Sequence, residues 1–155
     1  MVEYLGPDFL GPVYPEICSK ICSYSNSKYS AIRQASVYGI GMIAQHGGAA
    51  FSTVKDVCLV SLKHAIEFQM DATTKEKKSK QTQYYHAKDN AVAALGKILK
   101  YQSNSPDVAS LVPFWMQCLP LSHDMEEAKI QNEFLAESML RASNVILGDN
   151  AERLE

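Results

Sequence analysis

Apolar residues recur three and four positions apart along almost the whole chain, the spacing of one helix face. Alternating β-branched runs are absent, and no Asn-Gly or Asp-Gly pair joins two such runs. The pattern predicts six helices. The first spans about 9–24, with Pro12 and Pro15 in its opening turns, where a missing amide costs least. The second spans about 28–46, with Ile32, Ala35, Gly39, Ile40 and Ile43 as its apolar stripe and Gly47-Gly48 as a left-handed stop. The third spans about 50–70, with Val54, Val57, Cys58, Leu62 and Ala65 facing inward. The fourth spans about 84–101, with Ala91, Ala94, Leu95, Ile98 and Leu99 inward. The fifth spans about 106–119 and opens on Ser105-Pro106-Asp107: a cap, a proline at the first position and a carboxylate near the positive dipole end. The sixth spans about 125–147. Asp124 caps it, Glu127 stands at capping-box spacing, and Gly148 ends it.

Most connections are short, so successive helices are antiparallel neighbours. They group into three hairpins at about 9–46, 50–101 and 106–147. One link is long: 71–82, DATTKEKKSKQT, with four lysines and no large apolar residue. It reads either as a solvated loop or as a basic docking or targeting segment.

The second helices of the first two hairpins echo each other. VYGIGMI at 37–43 matches VAALGKI at 92–98, pairing Val37 with Val92, Ile40 with Leu95, Gly41 with Gly96 and Ile43 with Ile98. The offset of 55 residues falls to the low forties once the long loop is removed, the period of HEAT-type helical repeats. The predicted fold is therefore all-α, a HEAT-repeat α-solenoid of about three antiparallel hairpins whose stacking forms one core. The spacing Gly39-x-Gly41-x-x-Ala44 also fits a dinucleotide-binding turn. That turn needs a strand before its first glycine, and residues 32–38 are already in helical phase. The glycines instead predict close helix–helix approach.

The totals add limits. The 155 residues suffice for one domain with a core, and 46% hydrophobic against 21% charged residues indicates a globular chain. Fifteen basic and 17 acidic residues leave a net charge of −2, without the basic excess of a nucleic-acid binder. The first residues carry acids and prolines and no basic-then-apolar leader, and no run approaches a membrane span; a soluble intracellular chain is expected. Cys18 and Cys22 lie one turn apart and read as a metal pair, a redox pair, or buried thiols in a reducing compartment, the last being preferred. The four histidines show no ligand spacing, and no nucleophile–base set, phosphate loop or carboxylate pair stands out. No enzyme, metal or cofactor is expected.

Several blocks resemble one family. RQASVYGIGMIAQHGG (33–48), DNAVAALGKILKY (89–101), LVPFWMQCLPLSHDMEEA (111–128) and NVILG (144–148) are similar in order and spacing to segments of the importin-β, or karyopherin-β, nuclear transport receptors, and of their importin-five branch in particular. Two departures stand out: the charged loop, and Cys118-Leu119-Pro120 where the family has Trp-Leu-Pro. The resemblance implies a fragment from the C-terminal half of a receptor that carries protein cargo bearing nuclear localisation signals through nuclear pores under Ran-GTP control, moving between cytoplasm and nucleus. It implies binding without chemistry and partners that include phenylalanine-glycine nucleoporins, with Ran bound by other repeats and neither DNA nor membrane insertion involved. In this geometry first helices are convex and second helices concave. Candidate concave cargo contacts are Arg33, Gln34, Tyr38, Tyr85, Asp89, Asn90, Asn132 and Glu133; for any one of them a solvated face is the preferred reading, and Arg33 also reads as a bond to a neighbouring repeat's acidic residue or helix end. Candidate nucleoporin-pocket residues are Leu62, Ile66, Phe114 and Trp115, which read alternatively as core, where the Trp115 indole would need a hydrogen-bond partner. Another HEAT scaffold, such as a phosphatase regulatory subunit, and a small helical enzyme or sensor using the cysteines are the alternatives.

Overall fold

The computed structural model describes residues 13–69, 78–103 and 106–148. Those residues form an all-α solenoid: α1 Tyr14–Ser23, α2 Ser30–His46, a 3-10 segment Gly48–Thr53, α3 Lys55–Glu67, α4 Lys78–Tyr101, α5 Pro106–Ala109, α6 Val112–Gln117 and α7 Met125–Gly148. The opening turns of the first predicted helix, with Pro12, the Ser105 cap and loop positions 71–77 lie outside the described residues. The rest of the predicted loop, 78–82, is the first turn of α4.

The helices stack in two layers. The second helices α2, α4 and α7 pack in succession, with α4 in the middle, while α1 packs on α3. Every residue from Asp89 to Leu99 is buried, because α4 meets α2 and α3 on one side and α6 and α7 on the other. Burying each large side chain of this core, such as Ile40, Ile98 or Leu62, stabilises the fold by about 1.5–3 kcal/mol.

That crowding shifts the stripe of α2. Its buried residues are Arg33, Ser36, Val37, Ile40, Gly41, Ile43 and Ala44. Ile32 and Ala35 are exposed, contrary to the predicted stripe. A helix flanked on two sides buries a face wider than one apolar stripe, and small Ser36 and Gly41 admit the neighbours closely. The Ser36 hydroxyl donates to the Ile21 carbonyl at 2.7 Å, joining α2 to α1. Val57 on α3 is likewise exposed, not inward.

Three further expectations change. The predicted third helix begins instead with the 3-10 segment. The predicted fifth helix is two short ones, since Pro113 lacks an N–H and its ring opposes the carbonyl four residues back, so α6 restarts with Pro113 in its first turn. The stop after α2 is divided: Gly48 has φ 51°, whereas Gly47 at φ −79° is not left-handed. Gly47 is needed for space, because a Cβ there would overlap the Tyr14 hydroxyl, which donates to the Ile43 carbonyl at 2.9 Å.

The echoed glycines do mark close approach. A Cβ on Gly41 would lie 3.2 Å from the Ala94 backbone of α4, and one on Gly96 would run into Gln131 of α7 and Trp115 of α6. Gly39 meets only the Ile21 side chain at 3.4 Å or more, an ordinary contact.

Candidate functional site

Two surfaces follow from the layers. The first is a groove of about 410 Å³ across the second helices, lined by Tyr38, Met42 and Gln45 of α2, Gly96, Lys97, Lys100 and Tyr101 of α4, and Glu127, Ile130, Gln131 and Phe134 of α7, with His46 at one end. Its floor is charged. Lys97 Nζ donates to Glu127 Oε1 at 2.5 Å, both side chains being 9% exposed, and lies 5.2 Å from the Tyr38 ring centre. Lys100 sits 5.6 Å from the Phe134 ring centre and 3.4 Å from Glu137 Oε2. Glu127 Oε2, Gln131 Oε1 and Trp115 Nε1 are buried without a partner among the described residues. Glu127 is thus spent on Lys97, and the reciprocal half of the expected capping box is not made; Asp124 does cap α7, accepting from the Glu127 N–H at 3.1 Å.

The second surface is an apolar slot of about 170 Å³ in the first-helix layer. Leu59, Val60, Leu62 and Lys63 of α3, Leu95 of α4, Leu111 at the start of α6 and Phe114 within it line the slot. It exists because α6 is short: one and a half turns cover only part of the α3 flank. Lys55, 3.4 Å from Asp107, ties the start of α3 to α5 beside it.

Of the candidate pocket residues, the structure brings Leu62 and Phe114 together in this slot. Ile66 is buried in the core, and Trp115 packs on Phe134 with ring centres 5.2 Å apart, on the other side of α6. The indole N–H that needed a partner is among the unpaired atoms.

The concave candidates divide similarly. Tyr38 lines the groove and is 47% exposed. Asn132 and Glu133 are exposed on α7, Gln34 is half-buried, and Tyr85 stacks on His123 at 4.5 Å. Arg33, Asp89 and Asn90 are buried, and their polar atoms are engaged within the chain. Arg33 donates to the Ser27 carbonyl at 2.6 Å and the Ser30 hydroxyl at 3.1 Å, with Phe68 stacked 3.8 Å away. Its partners are thus its own turn and an aromatic ring rather than an acidic neighbour, and burial lowers its pKa. Asp89 Oδ2 accepts the backbone N–H groups of Ser122, His123 and Asp124 at 3.0, 2.6 and 3.0 Å. Asn90 donates to Asp124 Oδ2 at 2.6 Å. These two residues hold the entry to α7.

Sequence reasoning missed Lys97, Gln131 and Phe134 in the groove, and Leu59, Val60 and Leu111 in the slot. The signal available for the slot was the one-turn spacing of Leu59, Leu62 and Lys63 opposite a proline-interrupted helix. For the groove it was Lys97 beside Gly96, a charge next to the close-contact position.

No family model matches the chain. Importin subunit beta-3 of Saccharomyces cerevisiae is 33% identical over 116 residues, 74% of this chain. This similarity supports the importin-β family. The chain spans about 10% of the length of that relative. Among the described residues no helix is long and apolar enough to cross a membrane, and no group of three His, Cys, Asp or Glu side chains is placed to hold a metal ion.

Proposed function

We propose that the chain is a three-hairpin segment of a nuclear import receptor of the importin-five branch, acting by binding and without chemistry. The slot between α3 and α6 takes the phenylalanine ring of a phenylalanine-glycine nucleoporin repeat. The groove across α2, α4 and α7 faces protein cargo bearing a nuclear localisation signal, with Tyr38, Asn132 and Glu133 as contacts. Ran-GTP is bound by other repeats of the full-length receptor, which moves between cytoplasm and nucleus. Similarity to an importin supports this reading over a phosphatase scaffold.

The observation that carries the proposal is the slot itself: lined by apolar side chains and Lys63, open on the first-helix layer, and of a size for one ring. A short phenylalanine-glycine peptide titrated onto the chain should bind weakly and shift signals of α3 and α6. Phe114→Ala and Val60→Asp should each weaken it about tenfold, an anchor-sized loss, while Tyr38→Ala leaves it unchanged. Peptide binding indifferent to both slot substitutions, or absent in the chain and in a longer receptor containing it, sinks the proposal.

A further inference from the structure

Away from both surfaces, three thiols meet between successive hairpins. Cys18 and Cys22 lie one turn apart on α1, and Cys58 on α3; all three are buried. The Cys22 and Cys58 sulfurs are 3.9 Å apart across 36 positions of sequence. Helix α1 opens the first hairpin and α3 the second, so the sulfurs touch across a repeat boundary. Cys18 and Cys22, one turn apart on α1 as the sequence spacing implies, are buried, as the preferred sequence reading has them.

These neighbours divide the chemistry. The contact with Cys58 pulls the Cys22 thiol down despite burial. That same contact, then burial, pushes Cys58 up, and burial pushes Cys18 to about 11. A sulfur whose thiolate form is favoured therefore touches one whose protonated form is favoured, the arrangement of an attacking and a resolving thiol.

We propose that Cys22 and Cys58 are an oxidisable dithiol whose disulfide clamps the first helices of the first two hairpins together. The oxidant is a hydroperoxide, with hydrogen peroxide as the simplest. The Cys22 thiolate attacks one peroxide oxygen; the O–O bond breaks, giving Cys22 sulfenic acid and a hydroxide that is protonated to water. Cys58 sulfur then attacks the sulfenic sulfur; the S–O bond breaks, the S–S bond forms, and the leaving hydroxide takes the Cys58 proton as a second water. Two electrons pass from the two sulfurs to the peroxide. The sulfurs close from 3.9 Å to about 2.05 Å in the product. Peroxide is close to water in size, and among the described elements α1 packs chiefly on α2 and α3, so local opening of α1 admits it. A solenoid changes curvature by small rotations of one repeat on the next, and a bond between first helices removes that freedom at this boundary.

The test treats the folded full chain with hydrogen peroxide, blocks remaining thiols with N-ethylmaleimide, and maps peptides by mass. The four free cysteines should fall to two alkylatable ones, with a dithiothreitol-reversible Cys22–Cys58 peptide pair and a chain about 2 Da lighter. Cys18→Ser should keep the cross-link. Cys58→Ser should stop at the sulfenic acid, trapped on Cys22 by dimedone. The proposal is overturned if all four thiols stay alkylatable in the folded chain, if the bond joins Cys18 to Cys22, if the pair forms only after urea unfolds the chain, or if Cys58→Ser yields no dimedone adduct at Cys22.

Discussion

Gly47 has an ordinary φ and nonetheless no room for a side chain, because Tyr14 and the Ile43 carbonyl occupy the space. Gly47→Ala should cost about 1–3 kcal/mol by overpacking and by loss of the Tyr14 bond. Gly39→Ala should be neutral or stabilising by up to about 1 kcal/mol, since its Cβ meets only a flexible Ile21 side chain and alanine is the better helix former. Urea denaturation of both variants measures the contrast; equal effects would show that the local space is not what decides. The thiol cluster has its own pH signature. Burial raises the folded pKa of Cys18 from 9.0 to about 11 and raises Tyr14, while the bond to Cys22 and then burial raise Cys58. Above pH 9 the unfolded chain has lost protons that the folded chain still holds, so the stability these groups contribute is fully present below pH 9 and falls as pH rises from about 9 to 11. Melting temperature followed across that range should drop, and less steeply in Cys18→Ser.

At the scale of elements, α7 is held to α4 by charge. Lys97→Met would leave Glu127 buried and uncompensated beside an oxygen that already lacks a partner, at a cost of about 3–5 kcal/mol, whereas Lys97→Met combined with Glu127→Leu should recover most of the loss. Chemical denaturation of the two variants checks this; an equally destabilised double variant would rule out the uncompensated charge as the cause. Much of the element order was legible in the sequence: α2 and α7 begin and end within two residues of expectation, because each has a long periodic run and a punctuated end. The break between α5 and α6 was not read from the sequence, where apolar spacing suggested one helix over 106–119; the missing N–H of Pro113 outweighs that spacing. The burial of Arg33, Asp89 and Asn90 was not legible either. A polar residue facing water looks like one facing its own turn, as Arg33 does, or a turn more than 30 residues away, as Asp89 and Asn90 do, until the hairpins stack. The site was legible only in part for the same reason: Leu62 and Phe114 meet across two helices of different hairpins, and Trp115, one residue on, faces the opposite side of α6.

Across the whole molecule, stability in a solenoid is a sum of repeat terms and nearest-neighbour interfaces. Among the described helices only α4 has neighbours of both layers on both sides, so within them hydrogen exchange should be slowest at 89–99 and fastest at the outer edges of α1 and α7. Uniform protection along the chain would contradict that gradient.

The sequence alone determined the all-α class, the helical period, the order of the helices and the two glycine positions where second helices approach, because these depend on local spacing and on the volume of single residues. Tertiary structure alone decided which polar side chains serve the stack, that Cys22 meets Cys58 rather than Cys18, and that an apolar slot opens between α3 and α6. Each of those depends on which faces of distant helices are brought into contact, and only the stacking of the hairpins sets that.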